Sequence, residues 1–158
     1  ESVSPEEILK LGVLTQEQWN FLADASLKLY QRGVEICAQQ GIILVDTKYE
    51  FGTTPDGKIV LIDEIHTPDS SRFWFLNEYD ARFASHEEQK SISKEYLREW
   101  LAAHGFRGDG EIPPIPDEVR IETAHRYIEA YELITGQQFE AEAGSVNERL
   151  NKNLMKFF

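Results

Sequence analysis

The run Gly41-Ile42-Ile43-Leu44-Val45-Asp46-Thr47-Lys48-Tyr49-Glu50-Phe51-Gly52 is followed, after a turn, by Ile59-Val60-Leu61-Ile62-Asp63-Glu64-Ile65-His66-Thr67-Pro68-Asp69-Ser70-Ser71-Arg72-Phe73-Trp74. Both stretches open as apolar, β-branched runs and then turn polar at alternate positions, the pattern of strands whose ends reach a polar surface. In a strand, Asp46, Lys48 and Glu50 share one face. Between the runs, Pro55-Asp56-Gly57-Lys58 holds the Asp-Gly pair favoured in two-residue hairpin loops, where both central positions need positive φ. With Pro55 and Lys58 flanking that turn, Glu50 is expected opposite Asp63 and Asp46 opposite Thr67, side chains about 5 Å apart. Like charges so placed destabilise a sheet unless a cation lies between them. Two readings fit: a divalent cation such as Mg²⁺, which takes carboxylate oxygens and is commonly shared with substrate phosphates, or a solvated face neutralised by Lys48 and Arg72.

The flanking sequence supplies helices. Ser4-Pro5-Glu6-Glu7 combines an N-cap serine, proline at the first helical position and glutamate at the third, so a short helix follows and Gly12 ends it. Thr15 and Gln18 repeat the capping box and open a long helix to about residue 40, with Trp19, Leu22, Ala23, Tyr30, Val34 and Cys37 on one stripe. Residues 73–90 mix aromatics and charges without a clean period and read as irregular surface structure. Ser93 is expected to cap a helix that ends near Gly105, and residues 105–116, with three glycines and three prolines, form a loop. A further helix is expected over residues 117–135, burying Ala124, Tyr127, Ile128 and Tyr131 and closed by Gly136. Beyond Phe139 the chain reads as an appendage, with a capping box at Ser145 and Glu148 and a stripe of Leu150, Leu154 and Phe157. The expected organisation is one domain over 1–139 and a helical appendage over 140–158. The expected fold is α+β, a sheet centred on the hairpin and packed by the long helix and the later helices.

Composition narrows the function classes. In 158 residues, 28 acidic against 16 basic side chains give a formal net charge of −12, which disfavours nonspecific binding to nucleic acid or an anionic membrane. A single cysteine, Cys37, excludes an intrachain disulfide and reads as a small buried apolar residue. His66, His86, His104 and His125 are too scattered for a structural zinc site. No run approaches a membrane span and no signal-peptide pattern opens the chain, so a soluble cytoplasmic protein is expected.

The segment 45–52 together with 63–74 resembles the signature region of the phosphoribosylaminoimidazole-succinocarboxamide synthase (SAICAR synthetase) family. The likeness runs from Ser2-Val3-Ser4-Pro5-Glu6-Glu7 to Tyr131-Glu132-Leu133-Ile134-Thr135-Gly136. The resemblance implies the C-terminal lobe of a two-lobed ligase of purine biosynthesis that uses ATP and Mg²⁺ to join the carboxylate of an aminoimidazole ribonucleotide (CAIR) to L-aspartate, through an acyl phosphate. By resemblance Asp46, Lys48, Glu50 and Asp63 are the catalytic residues. Glu50 and Asp63 match Mg²⁺ ligands that bridge ATP phosphates, and Asp46 matches a ligand of the metal that engages the ribonucleotide carboxylate. Lys48 and Arg72 match groups that contact the ribonucleotide, Arg72 being suited to bidentate binding of phosphate or carboxylate, and Asp69 and Ser71 shape the pocket. Lys94 and Arg98 lie in a stretch that also resembles the family, with an ordinary solvated helix face as the alternative.

The family's N-terminal β-rich lobe, with its glycine-containing nucleotide loop and phosphate-binding lysine, has no counterpart in these residues. The implied partner is that lobe, the implied form a truncated chain, a proteolytic product or half of a split gene, and the implied behaviour inactivity when alone; a homo-oligomer is left open. A non-catalytic binding module derived from the family is the alternative. A third reading, a Mg²⁺-dependent nuclease with Asp46-Thr47-Lys48 as its acidic-x-Lys motif, is disfavoured because Pro68-Asp69 follows that motif instead of preceding it, and because the chain is acidic.

Overall fold

The computed structural model describes residues 3–92 and 94–158. Helices α1 (Pro5–Lys10) and α2 (Gln16–Gln39) begin as their caps dictate: Ser4 and Thr15 accept from the backbone N–H groups of Glu7 and Gln18, whose side chains return the bond. Strands β1 (Ile42–Thr47), β2 (Glu50–Thr53), β3 (Ile59–Ile62) and β4 (Ser71–Phe75) follow, then α3 (Leu76–Ala84), β5 (Ser91–Ile92), α4 (Glu95–Ala103), α5 (Asp117–Thr135) and α6 (Val146–Leu154). The architecture is α+β.

The strands form two antiparallel sheets, a three-stranded one in the order β1-β4-β5 and the separate β2–β3 hairpin. β1 therefore pairs with a strand distant in sequence, because the chain leaves the strand conformation at Lys48 and Tyr49 before β2 starts. The expected hairpin register is also corrected. Thr54 closes the loop by donating its N–H to Lys58 O at 2.9 Å, and Gly57 N–H donates to Thr54 O at 2.8 Å with Gly57 at φ +85°. The loop is thus the three residues Pro55-Asp56-Gly57, the alternative in which only the last residue needs the left-handed region. That one extra residue slides the β2–β3 ladder, so Glu50 lies opposite Ile62, not Asp63. Asp46, on β1, lies opposite Arg72 of β4, not Thr67, because β1 belongs to the other sheet.

The core gathers Cys37 from α2, Ile42 and Leu44 from β1, Phe73 from β4, Ile92 from β5 and Ala130 from α5, with Tyr30, Phe75, Leu133 and Ile134 packed against it. Phe73 is wholly enclosed and Ile42 and Leu44 nearly so. Enclosing such a side chain is worth about 1.5–3 kcal/mol. Residues 73–90, expected to be irregular, instead complete β4 and build α3. The helical period is masked there because α3 buries nothing in the core and leans on a stack of Trp74, Tyr79 and Phe83 with ring centroids 5.8 Å apart. α5 also turns a different face inward: Val119 and Ala130 are buried, Ile128 is half-buried, and Ala124, Tyr127 and Tyr131 are exposed. Its apolar residues are divided between α4 and β5, both of which it contacts, so no single stripe faces the core. Ser145 precedes α6 without a side-chain capping bond, and Leu150, Leu154 and Phe157 are exposed. The expected cap at Ser93 lies outside the described residues. Among the described residues, no helix is long and apolar enough to cross a membrane.

Candidate active site

The site begins at an irregularity in β1. Its pairing with β4 slips between Leu44, opposite Phe73, and Asp46, opposite Arg72, leaving Val45 as an extra residue. By simple alternation Asp46 would follow Ile42 and Leu44 into the core; the bulge turns it onto the outward face that carries Arg72. Tyr30 Oη secures the bulge by donating toward the carbonyls of Leu44 and Val45, at 2.9 and 3.1 Å. Arg72 Nε then donates to both Asp46 carboxylate oxygens at 3.0 Å, and Nη2 also bonds Oδ2. These hydrogen bonds from the guanidinium hold the Asp46 carboxyl below the usual carboxylate range.

The next three residues reach the loop that follows β3. Thr47 Oγ1 accepts from Ser71 Oγ at 2.9 Å, Lys48 Nζ pairs with Glu50 Oε1 and lies 3.5 Å from Asp63 Oδ2, and Tyr49 Oη meets His66 Nε2 at 2.5 Å. The hydrogen bond to Glu50, followed by the charges of Glu50 and Asp63, pushes the Lys48 pKa up, so its cation is firmly kept. Burial pushes the His66 imidazole pKa down. Within the loop, Thr67 starts a single tight turn. Its carbonyl accepts from Ser71 N–H at 2.9 Å, and its hydroxyl accepts from the N–H groups of Asp69 and Ser70 while bonding Glu64.

Asp46, Lys48, Asp69, Ser71, Arg72, Lys94 and Arg98 line one cleft of about 330 Å³. Lys94 pairs with Asp69 at 3.1 Å and Arg98 with Glu95, so these two cations face the cleft while held by carboxylates. Glu50 and Asp63 are not on its wall and are linked to it through Lys48. The trio Asp46, Glu50 and Asp63 is not drawn together: among the described residues, no group of three or more His, Cys, Asp or Glu side chains is placed to hold an ion. The sequence reading missed Glu64, Ser70 and Glu95, which also line the cleft. The signal for the first two was Thr67-Pro68-Asp69-Ser70, an N-cap threonine with proline at the first helical position.

A SAICAR synthetase family model matches residues 1–114. The chain belongs to the SAICAR synthetase family. The phosphoribosylaminoimidazole-succinocarboxamide synthase of Flavobacterium psychrophilum is 49% identical over 160 residues, covering 99% of this chain and 51% of the relative. The corresponding synthase of Legionella pneumophila (strain Paris) is 46% identical over 158 residues, covering 98% and 51%. Among solved structures, the Saccharomyces cerevisiae SAICAR synthase complexed with SAICAR superposes with a TM-score of 0.69 at 35% identity, covering 89% of this chain and 45% of that one. A SAICAR synthetase in complex with ADP gives 0.61 at 29% identity, covering 88% and 46%. The chain therefore spans about half the length of the curated relatives it matches.

The Mg²⁺ implied for this family can be tested against the donor set. Glu50 and Asp63 converge on one ammonium group, Lys48 Nζ. Two carboxylates around a cation, completed by phosphate oxygens and water, suit Mg²⁺, which seldom has an all-protein cage. Glu50 and Asp63 fit; Asp46 is engaged by Arg72 instead.

Proposed function

We propose that this chain supplies the ribonucleotide-binding half of an ATP-dependent carbon–nitrogen ligase that joins CAIR to L-aspartate, and that it acts with the half of its relatives it does not span. The observation that carries this reading is the cleft that combines Arg72, Lys94, Arg98 and Lys48 with Asp46, Asp69 and Ser71. Such a mixture suits a ligand bearing a phosphate, a carboxylate and ribose hydroxyls: the cations take the anionic ends and the carboxylates and hydroxyl orient the rest.

In the proposed reaction the CAIR carboxylate oxygen attacks the γ-phosphorus of ATP and ADP leaves. The aspartate amine then attacks the acyl carbon, phosphate leaves with the C–O bond, and the amine loses its proton. No protein nucleophile is needed, so the protein works by positioning and charge neutralisation. Lys48, which remains a cation when Glu50 and Asp63 turn to a metal, neutralises anionic oxygens at the cleft edge. Arg72 exchanges part of its contact with Asp46 for the ligand, which keeps both groups paired throughout. A Mg²⁺ held by Glu50 and Asp63 would draw charge from the ATP phosphates. Asp46 as a ligand of a second metal rests on family resemblance alone.

The exposed apolar side chains Val60, Ile62 and Ile65, next to Asp63, offer a surface for the companion half. The non-catalytic alternative is weaker, since the curated relatives that match nearly the whole of this chain are named as synthases. The test is turnover: the purified chain with ATP, Mg²⁺, CAIR and aspartate should form no SAICAR, yet it should bind CAIR, and product should appear when the complementary half of the Flavobacterium relative is added. Product from the chain alone, or failure to bind CAIR, would overturn the proposal.

A further inference from the structure

Gly33 lies in the middle of α2 and is buried. A Cβ there would stand 2.5 Å from His66 Cε1, 2.8 Å from His66 Nδ1 and 2.8 Å from Leu44 Cδ2. Glycine inside a helix costs about 0.5–1 kcal/mol against alanine, so α2 forgoes stability at the one place where the imidazole lies flush against its backbone. On its other side the ring meets Tyr49: Nε2 and Oη are 2.5 Å apart, and the rings stand edge to face, with centroids 5.6 Å apart. His66 holds this place at φ +52°, and Asp63, three residues earlier, is at φ +65°. Such angles are uncommon for non-glycine residues, though least costly for Asp, Asn and His, so the surroundings of the loop decide whether they are held.

Those surroundings are the link between β1 and β2. Thr47, Lys48 and Tyr49 meet Ser71, Asp63 and His66 in turn, so three successive residues grip the loop at both ends and in the middle. The outer two grips are polar contacts, and the Lys48–Asp63 pair is solvent-exposed and weak by itself. The middle grip also abuts α2 and Leu44, a core residue, and so refers the middle of the loop to the rigid part of the molecule, as the Thr47–Ser71 contact between β1 and β4 does its end.

We propose that Tyr49 and His66, seated against Gly33, are positioning residues that fix the 63–71 loop against the β1–β2 link, so that Asp63 stands beside Lys48 and Glu50 while Asp69 and Ser71 face the cleft. That these groups bind a ligand rests on the function proposed above; that the clasp holds the loop does not. The experiment therefore has two readouts on the full chain.

Amide hydrogen exchange reports the clasp directly, through Ser71 N–H, which donates to Thr67 O inside the loop. Tyr49→Phe, which keeps the ring and loses the hydroxyl, and His66→Leu should each speed exchange at Ser71 about ten-fold, equivalent to about 1.4 kcal/mol of local opening, with Leu44 and Phe73 unchanged. Gly33→Ala, whose added Cβ would meet His66 and also Leu44, should likewise speed exchange at Ser71 by displacing the ring, and more there than at Phe73. His66→Gln, whose amide reaches about as far as Nε2, should restore protection that His66→Leu loses. Unchanged exchange at Ser71 in Tyr49→Phe and Gly33→Ala, or a rise in Tyr49→Phe shared equally by the core, would overturn the proposal. The second readout is binding of Mn²⁺ with ADP, followed by paramagnetic relaxation. It should weaken several-fold in Tyr49→Phe and Gly33→Ala and recover in His66→Gln relative to His66→Leu. If the wild-type chain binds no Mn²⁺–ADP, the metal reading falls, and the exchange data still decide the clasp.

Discussion

Strand β3, Ile59–Ile62, is wholly apolar, yet Val60 is 38% and Ile62 43% exposed; strand β4, Ser71–Phe75, opens with a serine and an arginine, yet it encloses Phe73 completely. Burial here follows the number of neighbours a strand has, not its composition. β4 lies between β1 and β5 in a sheet whose buried side chains meet residues of α2 and α5, whereas β3 has β2 as its one partner strand. The three-stranded sheet thus carries stability, and the hairpin carries charge and an uncovered apolar face. The two are joined through Thr47, Lys48 and Tyr49, so the cleft is built where a rigid sheet hands over to a lightly held one.

If that division is right, substitutions in the two sheets should differ in size and in reach. Phe73→Ala should have the largest effect, a loss of about 3–5 kcal/mol from the emptied space and lost burial; urea denaturation should show the whole chain unfolding earlier, and a loss under 1 kcal/mol would mean that β4 is not the centre of stability. Gly57→Ala should cost less, about 1–2 kcal/mol, because alanine must adopt the left-handed angle although nothing crowds its Cβ. Its effect should be local, with faster amide exchange in β2 and β3 and none at Phe73. Loss of core protection would erase the distinction between the sheets. Asp63→Asn should move the melting midpoint least, by no more than about 2 °C without Mg²⁺, since an exposed ion pair contributes little, Glu50 still pairs Lys48, and asparagine tolerates positive φ. A larger drop would make Asp63 a structural residue of the hairpin end.

Much of the helical framework was legible because its signals are local. Ser4 with Glu7, Thr15 with Gln18, and Gly136 after Thr135 specify starts and stops through bonds that span a few residues. The site was legible in part for the same reason: the polar residues that follow the apolar runs could be recognised as one surface. The hairpin register was misread because Asp-Gly is compatible with both a two-residue and a three-residue loop, and a single residue decides which side chains face each other. α5 was misread because its apolar residues serve two neighbours, which a single helical stripe cannot represent.

The sequence by itself determined the starts of α1 and α2 and the end of α5, the acidic balance, the apolar runs that become strands, and the polar residues that follow them, since each depends on side-chain type and short spacing. Only the tertiary structure decided that β1 pairs with β4, that a bulge at Val45 sends Asp46 out of the core to Arg72, and that Glu50 and Asp63 meet through Lys48 instead of across a ladder. It also decided that Gly33 of α2 makes room for His66. These are contacts between residues far apart in the chain. They are chosen by which arrangement encloses Phe73 and satisfies the backbone groups around it, and no local pattern carries that information.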